Sequence, residues 1–274
     1  MKSAFIIGAG LMGGSLALAL KSKAGFERIL LMDTELDTTS WKAAGFNAGT
    51  FQDLPSVDLL VLATPVQTMP SILEKALSTL RPHTLIMDLA STKSQLIEAV
   101  RPILGARFSR FVPAHPICGK ETSGFDAAEA ALFHEKSVIL TPLPHETDPG
   151  AVSQIKKLWQ TLGARVFEMT PNAHDAAYGK FSHLPNLLSF VLKKQEAIPP
   201  QLPADLLPPS FETMTRLAHS SPVMWRDICL TNPRFILEAL SQFEGEVQHL
   251  KRLIKTGDGA TLLDWFHTAG DPPS

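Results

Sequence analysis

A chain of 274 residues, 45% hydrophobic and 19% charged, is long enough for one large domain or two ordinary ones around a sizeable core. A net charge of −2 with no long Lys/Arg block excludes an electrostatic footprint for nucleic acid or for an anionic membrane. The expected partners are a small molecule and another copy of the chain. Cys118 and Cys229 are the only cysteines, too few for a disulfide framework, so a reducing compartment, the cytoplasm, is expected.

The apolar stretch from Lys2 to Leu20 is broken by glycines and followed by Lys21 and Lys23, so it reads as strand, turn and helix rather than leader or membrane span. Ser3 to Ile7 is the strand. Gly8-Ala9-Gly10-Leu11-Met12-Gly13 then spells G-x-G-x-x-G, and Leu11, Ser15 and Leu18 continue at helical spacing. The first glycine permits the tight turn, the second lets a pyrophosphate approach bare backbone, and the third allows close helix packing while helix-start amides face the phosphates. A second apolar run, Arg28 to Met32, ends in Asp33, twenty residues past Gly13. A carboxylate there accepts from both ribose hydroxyls and repels a 2′-phosphate, favouring NAD over NADP; a solvated acid at a strand end is the plainer alternative.

Further parallel-type strands are expected at 57–63, 84–88, 110–114 and 137–141, with helices such as 71–80 and 94–100 between several of them. This is an α/β doubly wound, Rossmann-like sheet. Its carboxyl ends face the ligand crevice, which nominates Thr64 and Pro65, then Ser91 and Lys93, then His115. A last run at 164–169 leads into Thr170-Pro171, a cap and first helical position. Beyond it the chain reads as helical, so residues 1–169 are expected to bind NAD, and 170–274 to form an all-α domain for substrate binding and dimerisation.

Within that second part, 173–194 reads as one long helix, and 198–209 as a loop because it carries five prolines. The final helix opens at Asn232-Pro233 and runs to about Thr256 before Gly257. Ile236, Leu240, Phe243, Val247, Leu250 and Ile254 make a seam along it, equally suited to a core contact or to a homodimer. Residues after Ala269 are expected to fray.

The polar stretch His115-Pro116-Ile117-Cys118-Gly119-Lys120-Glu121-Thr122-Ser123-Gly124 follows the 110–114 strand. Histidine, with an unperturbed pKa near 6.5, accepts a proton at neutral pH, so His115 is the candidate base in a glycine-rich loop, against the alternative of a structural histidine bonded to backbone. Ser91, at the neighbouring strand end, is placed to bond the same reacting hydroxyl. Cys118 reads as a packing residue rather than a nucleophile, and Trp225 as a packing residue rather than a stacking platform. His174 and His183 are half a turn out of phase on an ideal helix, so no metal site is expected.

Gly8 to Gly13, Asp88-Leu89-Ala90-Ser91, His115-Pro116 through Gly119, Glu121 and Ser123-Gly124, His174-Asp175, Ser182-His183-Leu184-Pro185, and Thr215-Arg216-Leu217-Ala218 through Met224-Trp225-Arg226-Asp227-Ile228 together carry a resemblance to the prephenate and arogenate dehydrogenases of tyrosine biosynthesis. It implies oxidative decarboxylation. NAD would take hydride from the ring carbon bearing the hydroxyl, His115 the hydroxyl proton, Ser91 would orient that hydroxyl, and Arg216 would clamp a substrate carboxylate. Prephenate would give 4-hydroxyphenylpyruvate; an arogenate or dual-specificity cyclohexadienyl dehydrogenase is the rival, and a non-catalytic NAD-binding protein the remote one. The resemblance puts Glu121 near the site entrance, where a capping acid is the other reading, and places His183 and Asn186 on the substrate side. Lys120 stands where the family usually has threonine and Asn186 where it commonly has histidine, and an added cation at Lys120 would favour the more anionic prephenate. Tyrosine inhibition, if present, would act at the active site or a dimer contact, no regulatory domain being expected.

Overall fold

The computed structural model describes residues 1–34, 38–120, 122–195 and 208–270. Eight strands form one sheet: β1 (Ser3–Ile7), β2 (Arg28–Met32), β3 (Asn47–Ala48), β4 (Leu59–Leu62), β5 (Leu85–Asp88), β6 (Phe111–Ile117), β7 (Ser137–Leu140) and β8 (Arg165–Glu168). Their order is β3-β2-β1-β4-β5-β6-β7-β8. The order reverses at β1, and ligands of doubly wound sheets bind at such a reversal.

Strand composition explains the layering. Along β1, Ala4 and Ile6 enter a core with Leu16, Leu20 and Trp159, whereas Phe5 and Ile7 enter a second core with Leu73, Ile97 and Val100. Successive side chains on a strand point to opposite faces, so a run apolar throughout demands cover on both. Helices α1 (Leu11–Lys23) and α5 (Pro149–Thr161) supply one cover, α3 (Met69–Ala76) and α4 (Ser94–Leu104) the other. A five-residue helix, α2 (Thr39–Ala43), precedes β3.

Two expectations about the sheet need correction. The strand at 137–141 exists, but β7 runs antiparallel to β6, pairing His115 with Ile139 and Ile117 with Ser137. Among its described residues, the intervening segment carries one short 3₁₀ turn, Phe125–Ala127, and not the crossover helix that a parallel neighbour requires. In addition, β6 extends to Ile117 because β7 pairs residues 114 to 117. His115 therefore stands inside a strand rather than in a loop after it.

The helical part comprises α6 (Pro171–Tyr178), α7 (Leu184–Lys194), α8 (Pro209–Thr215), α9 (Pro222–Thr231), α10 (Pro233–Thr256) and α11 (Gly259–Gly270). Thr170 caps α6 by accepting from the Ala173 amide, as expected. The expected single helix at 173–194 is interrupted by a π-helical turn, Gly179–His183. Pro185 has no N–H for the carbonyl four residues back, and Gly179 lies against Phe235, so the wider turn absorbs the break. Of the proline-rich 198–209 segment, only Pro208 and Pro209 lie within the described residues. The α10 seam is divided: Ile236 and Leu240 pack with Trp225 and Ile228, while Phe243, Val247 and Ile254 are exposed. Among the described residues, no helix is long and apolar enough to cross a membrane.

Candidate active site

The glycine turn joins β1 to α1. Gly8 has φ +97°, a left-handed value that disfavours any side chain, and a Cβ there would lie 2.5 Å from the Ala63 carbonyl. A Cβ on Gly13 would lie 1.8 Å from the Gly8 oxygen, which fixes the closeness of turn and helix. At Gly10 a Cβ would meet no protein atom within 4 Å, and Gly10 caps α1 without a side-chain bond. Open space beside uncapped helix-start amides fits a pyrophosphate. Asp33, at the end of β2, accepts from the Ala9 amide at 2.8 Å and stays part-exposed, so it sits against the same turn. These residues fit a dinucleotide.

A cleft of about 430 Å³ begins at this turn. Gly10, Leu11 and Met12 line one part, Thr64 and Pro65 past β4 another, and Ser91 past β5 a third. Lys120, Thr122, Ser123 and Gly124 also border it, as do Ser220, Ser221, Met224 and Asp227 from around the start of α9. The structure thus gathers one cleft from both halves of the chain. Glu121 lies outside the described residues. Lys120 is not a lone cation, since its ammonium pairs with Glu129 and donates to the Ala127 carbonyl at 3.1 Å. The segment that carries it is moored to α1: the Glu129 amide donates to the Ser15 hydroxyl at 2.9 Å, and Phe125 lies over Gly14.

His115 is 9% exposed and is not among the residues lining that cleft. Its Nδ1 meets Nε2 of His174 at 2.8 Å, and Nδ1 of His174 meets Oδ1 of Asp175 at 2.9 Å. Tyr178, one turn along α6, stacks on His174 with centroids 4.6 Å apart and meets the His115 ring edge to face at 5.0 Å. Asp175 is held in turn by the backbone amides of Lys93 and Ser94, at 2.9 and 2.7 Å, at the start of α4. Against burial, which acts to raise it, the bonds from His174 and from the Ser94 amide hold its carboxyl below the usual carboxylate range.

Beneath these lies a fully buried ion pair. Lys93, its side chain 0% exposed, bonds Asp88 and donates to the Ala114 carbonyl at 2.7 Å. Burial pushes the Lys93 ammonium down and the Asp88 carboxyl up, each opposed by the other's charge. Burial also drives His115 well below the ordinary histidine value, with the neighbouring His174, Lys93 and His183 acting in the same direction. His174 is lowered by burial against the pull of Asp175, and His183 falls to about 4, chiefly by burial. All three rings are neutral at pH 7.

Nδ1 of His183 meets the Asn232 amide at 3.2 Å, and the same amide donates to the Asp175 carbonyl at 2.8 Å. Asn232 thereby links His183, in the π-turn, to the backbone of Asp175 on α6. Asn186 donates to the Ser182 carbonyl at 2.9 Å. Arg216 opens an exposed 3₁₀ turn, Arg216–His219, directly before cleft-lining Ser220. Trp225 is buried and meets His183 edge to face, as a packing residue would. Cys118 has its thiol pushed up to about 11 by burial, against nucleophilic use. Sequence reading alone assigned no part to Tyr178 or to the buried state of Lys93, and it took Asn232 for a helix cap, whereas its side chain makes no capping bond and turns to Asp175 and His183. The signals open to it were the chain's single tyrosine and a lysine five residues past a strand-end aspartate.

Comparison with known proteins bears on both halves. A model described as prephenate dehydrogenase, nucleotide-binding domain, matches residues 16–168, and one described as prephenate dehydrogenase, dimerization domain, matches 170–268. The prephenate dehydrogenase of Bacillus subtilis (strain 168) is 33% identical, over 99% of this chain and 75% of the relative. The cyclohexadienyl dehydrogenase of Zymomonas mobilis is 32% identical, over 95% of this chain and 91% of the relative. The crystal structure of the A. aeolicus prephenate dehydrogenase with hydroxyphenyl propionate and NAD+ superposes with a TM-score of 0.88 at 31% identity, covering 98% of this chain and 96% of that one. The chain therefore belongs to the prephenate dehydrogenase family and is an NAD-dependent dehydrogenase of that family.

Proposed function

We propose that this protein converts prephenate to 4-hydroxyphenylpyruvate by oxidative decarboxylation in tyrosine biosynthesis. The observation that carries the reading is His115: a buried, neutral histidine tethered through Nδ1, one strand over from the β5 end that brings Ser91 into the dinucleotide cleft. NAD supplies the hydride acceptor. His115 draws the proton from the substrate's ring hydroxyl, and Ser91 orients that hydroxyl. The C–H electron pair leaves as hydride, the ring carboxylate departs as CO2, and its bonding pair completes the aromatic ring. The proton then returns to the phenolic oxygen, so atoms and charge balance.

Arg216, beside the cleft-lining serines, clamps a substrate carboxylate through its planar fork. His183 and Asn186 complete the substrate side, with Glu121 at the entrance. Lys120 contributes a cation for which a substrate carboxylate would compete with Glu129. Gly8, Gly10, Leu11, Met12, Gly13, Asp33, Thr64 and Pro65 hold the cofactor. We place the division between the two functional units at residues 169 and 170 and a homodimer contact on the exposed apolar side of α10 and α11, where Leu237, Ile254, Leu263 and Phe266 are each more than half exposed. The free thiols Cys118 and Cys229 support a cytoplasmic location.

The Zymomonas relative favours a dual-specificity alternative. Initial rates of reduced-cofactor formation with prephenate and with arogenate, each with NAD and NADP, test the reading. Prephenate with NAD is expected to be the best pair. A large arogenate preference would overturn the substrate choice, and an NADP preference the role of Asp33.

A further inference from the structure

We infer that His174 is a positioning residue: with Asp175 it locks His115 into the one tautomer whose Nε2 carries a free lone pair, through a chain of hydrogen bonds that crosses from one half of the molecule to the other. The inference rests on the reading of His115 as the base, and its steps follow from donor and acceptor chemistry. Asp175 receives two backbone N–H bonds, from Lys93 and Ser94, and a third contact from Nδ1 of His174. A carboxylate is acceptor only, so the His174 Nδ1 must carry the hydrogen. A neutral imidazole then has a bare Nε2, and this atom lies 2.8 Å from Nδ1 of His115. Nδ1 of His115 must therefore carry its hydrogen, and Nε2 is the basic atom.

The anchor for this chain is built from the sheet half, because the two amides stand where β5 gives way to α4, whereas His174 and Asp175 belong to α6. Other polar links run alongside. Thr92 meets Thr231 at 2.8 Å and Ser94 meets Asn172 at 3.1 Å. Position along the junction is thus fixed independently of the histidines. The groups that face His115 are His174, Asp175 and Tyr178 from α6, His183 from the π-turn, and Lys93 with Asp88 from the sheet side.

The lock also serves the charged stage of the reaction. When Nε2 takes the hydroxyl proton, His115 becomes an imidazolium whose Nδ1–H is already donated to His174, one ring away from the Asp175 carboxylate. The charge is received without a new bond having to form, and the proton leaves by the same Nε2 when the phenolic oxygen takes it back.

The test is the tautomer itself. Nitrogen-15 spectra of full-length protein labelled at histidine are expected to show His115 protonated at Nδ1 and bare at Nε2 at neutral pH. In His174→Phe, which can stack on Tyr178 but cannot accept, the Nε2-protonated form should appear. In that variant kcat should fall roughly 10- to 100-fold, the size typical when the hydrogen-bonded partner of a metal-bound histidine is removed, with KM changed by less than about threefold. His174→Gln, whose side-chain oxygen can accept from Nδ1, should restore the Nδ1 tautomer and part of kcat. A wild-type His115 protonated at Nε2, or a His174→Phe variant with unchanged tautomer and kcat, would overturn the inference. His115→Ala separates the two readings: if it keeps full activity the base assignment fails, and if it is inactive while His174→Phe is unaffected only the positioning role fails.

Discussion

At the glycine turn the chain removes side chains, and at the junction of His115, His174 and Asp175 it crowds them together. The turn leaves open space beside Gly10 and part-exposed groups around it, so on the proposed reading recognition there rests on backbone and on one carboxylate, Asp33. The junction is closed: His174, Asp175, Lys93 and Asp88 are 0% exposed and held by partners from three elements. One region binds by what it lacks and tolerates solvent. The other, on the inference drawn above, sets proton positions, which requires that solvent be kept out and that each donor meet one acceptor.

The sharpest way to break this contrast is to empty the junction of its cation. Lys93→Met leaves the Asp88 carboxyl buried without its partner, and the fold is expected to lose about 3–5 kcal/mol in urea denaturation. Adding Asp88→Asn should recover part of that loss, because the stranded charge is then gone. A loss below about 1 kcal/mol in the single variant would show that the pair is not held as a charged unit.

The turn should respond differently at two of its glycines. Gly13→Ala puts a methyl 1.8 Å from the Gly8 oxygen, so both fold and cofactor binding suffer, with a stability loss of about 1–3 kcal/mol or more. Gly10→Ala meets no protein atom, so its melting temperature should match wild type while NAD titration shows weakened binding. Equal melting temperatures with equal NAD affinity in the Gly10 variant would remove the pyrophosphate from that position.

A further effect, spread over a pH range, separates the regions. His183 titrates near 6.5 when unfolded and near 4 when folded, so the unfolded chain binds the extra proton between those values. Its contribution is intact above pH 6.5 and is lost as pH falls toward 4, by about 3 kcal/mol in all. Stability measured across that window should therefore fall less steeply in His183→Asn than in wild type. Parallel curves would mean that the ring takes up its proton in the fold as it does in the unfolded chain.

Legibility in the sequence follows the same division. The strands and the glycine turn could be read because their causes are local: apolar runs, glycine spacing and an acid at a strand end. The direction of β7 could not, because it depends on the absence of a crossover helix over a long, weakly patterned segment. His115 was legible as a candidate but misplaced in a loop, since its strand is completed by pairing with β7. The union of His115 with His174 joins residues 59 positions apart and turns on where α6 docks, which no local pattern states. The π-turn at 179–183 likewise answers to Pro185 and Phe235 together.

The central claim is that His115 draws the substrate's hydroxyl proton, and His115→Asn measured with prephenate and NAD tests it most directly. The account predicts that kcat falls about 10²- to 10⁴-fold while the NAD dissociation constant stays within about threefold of wild type, because the glycine turn is untouched. Turnover at the wild-type rate with an unchanged pH profile would contradict it.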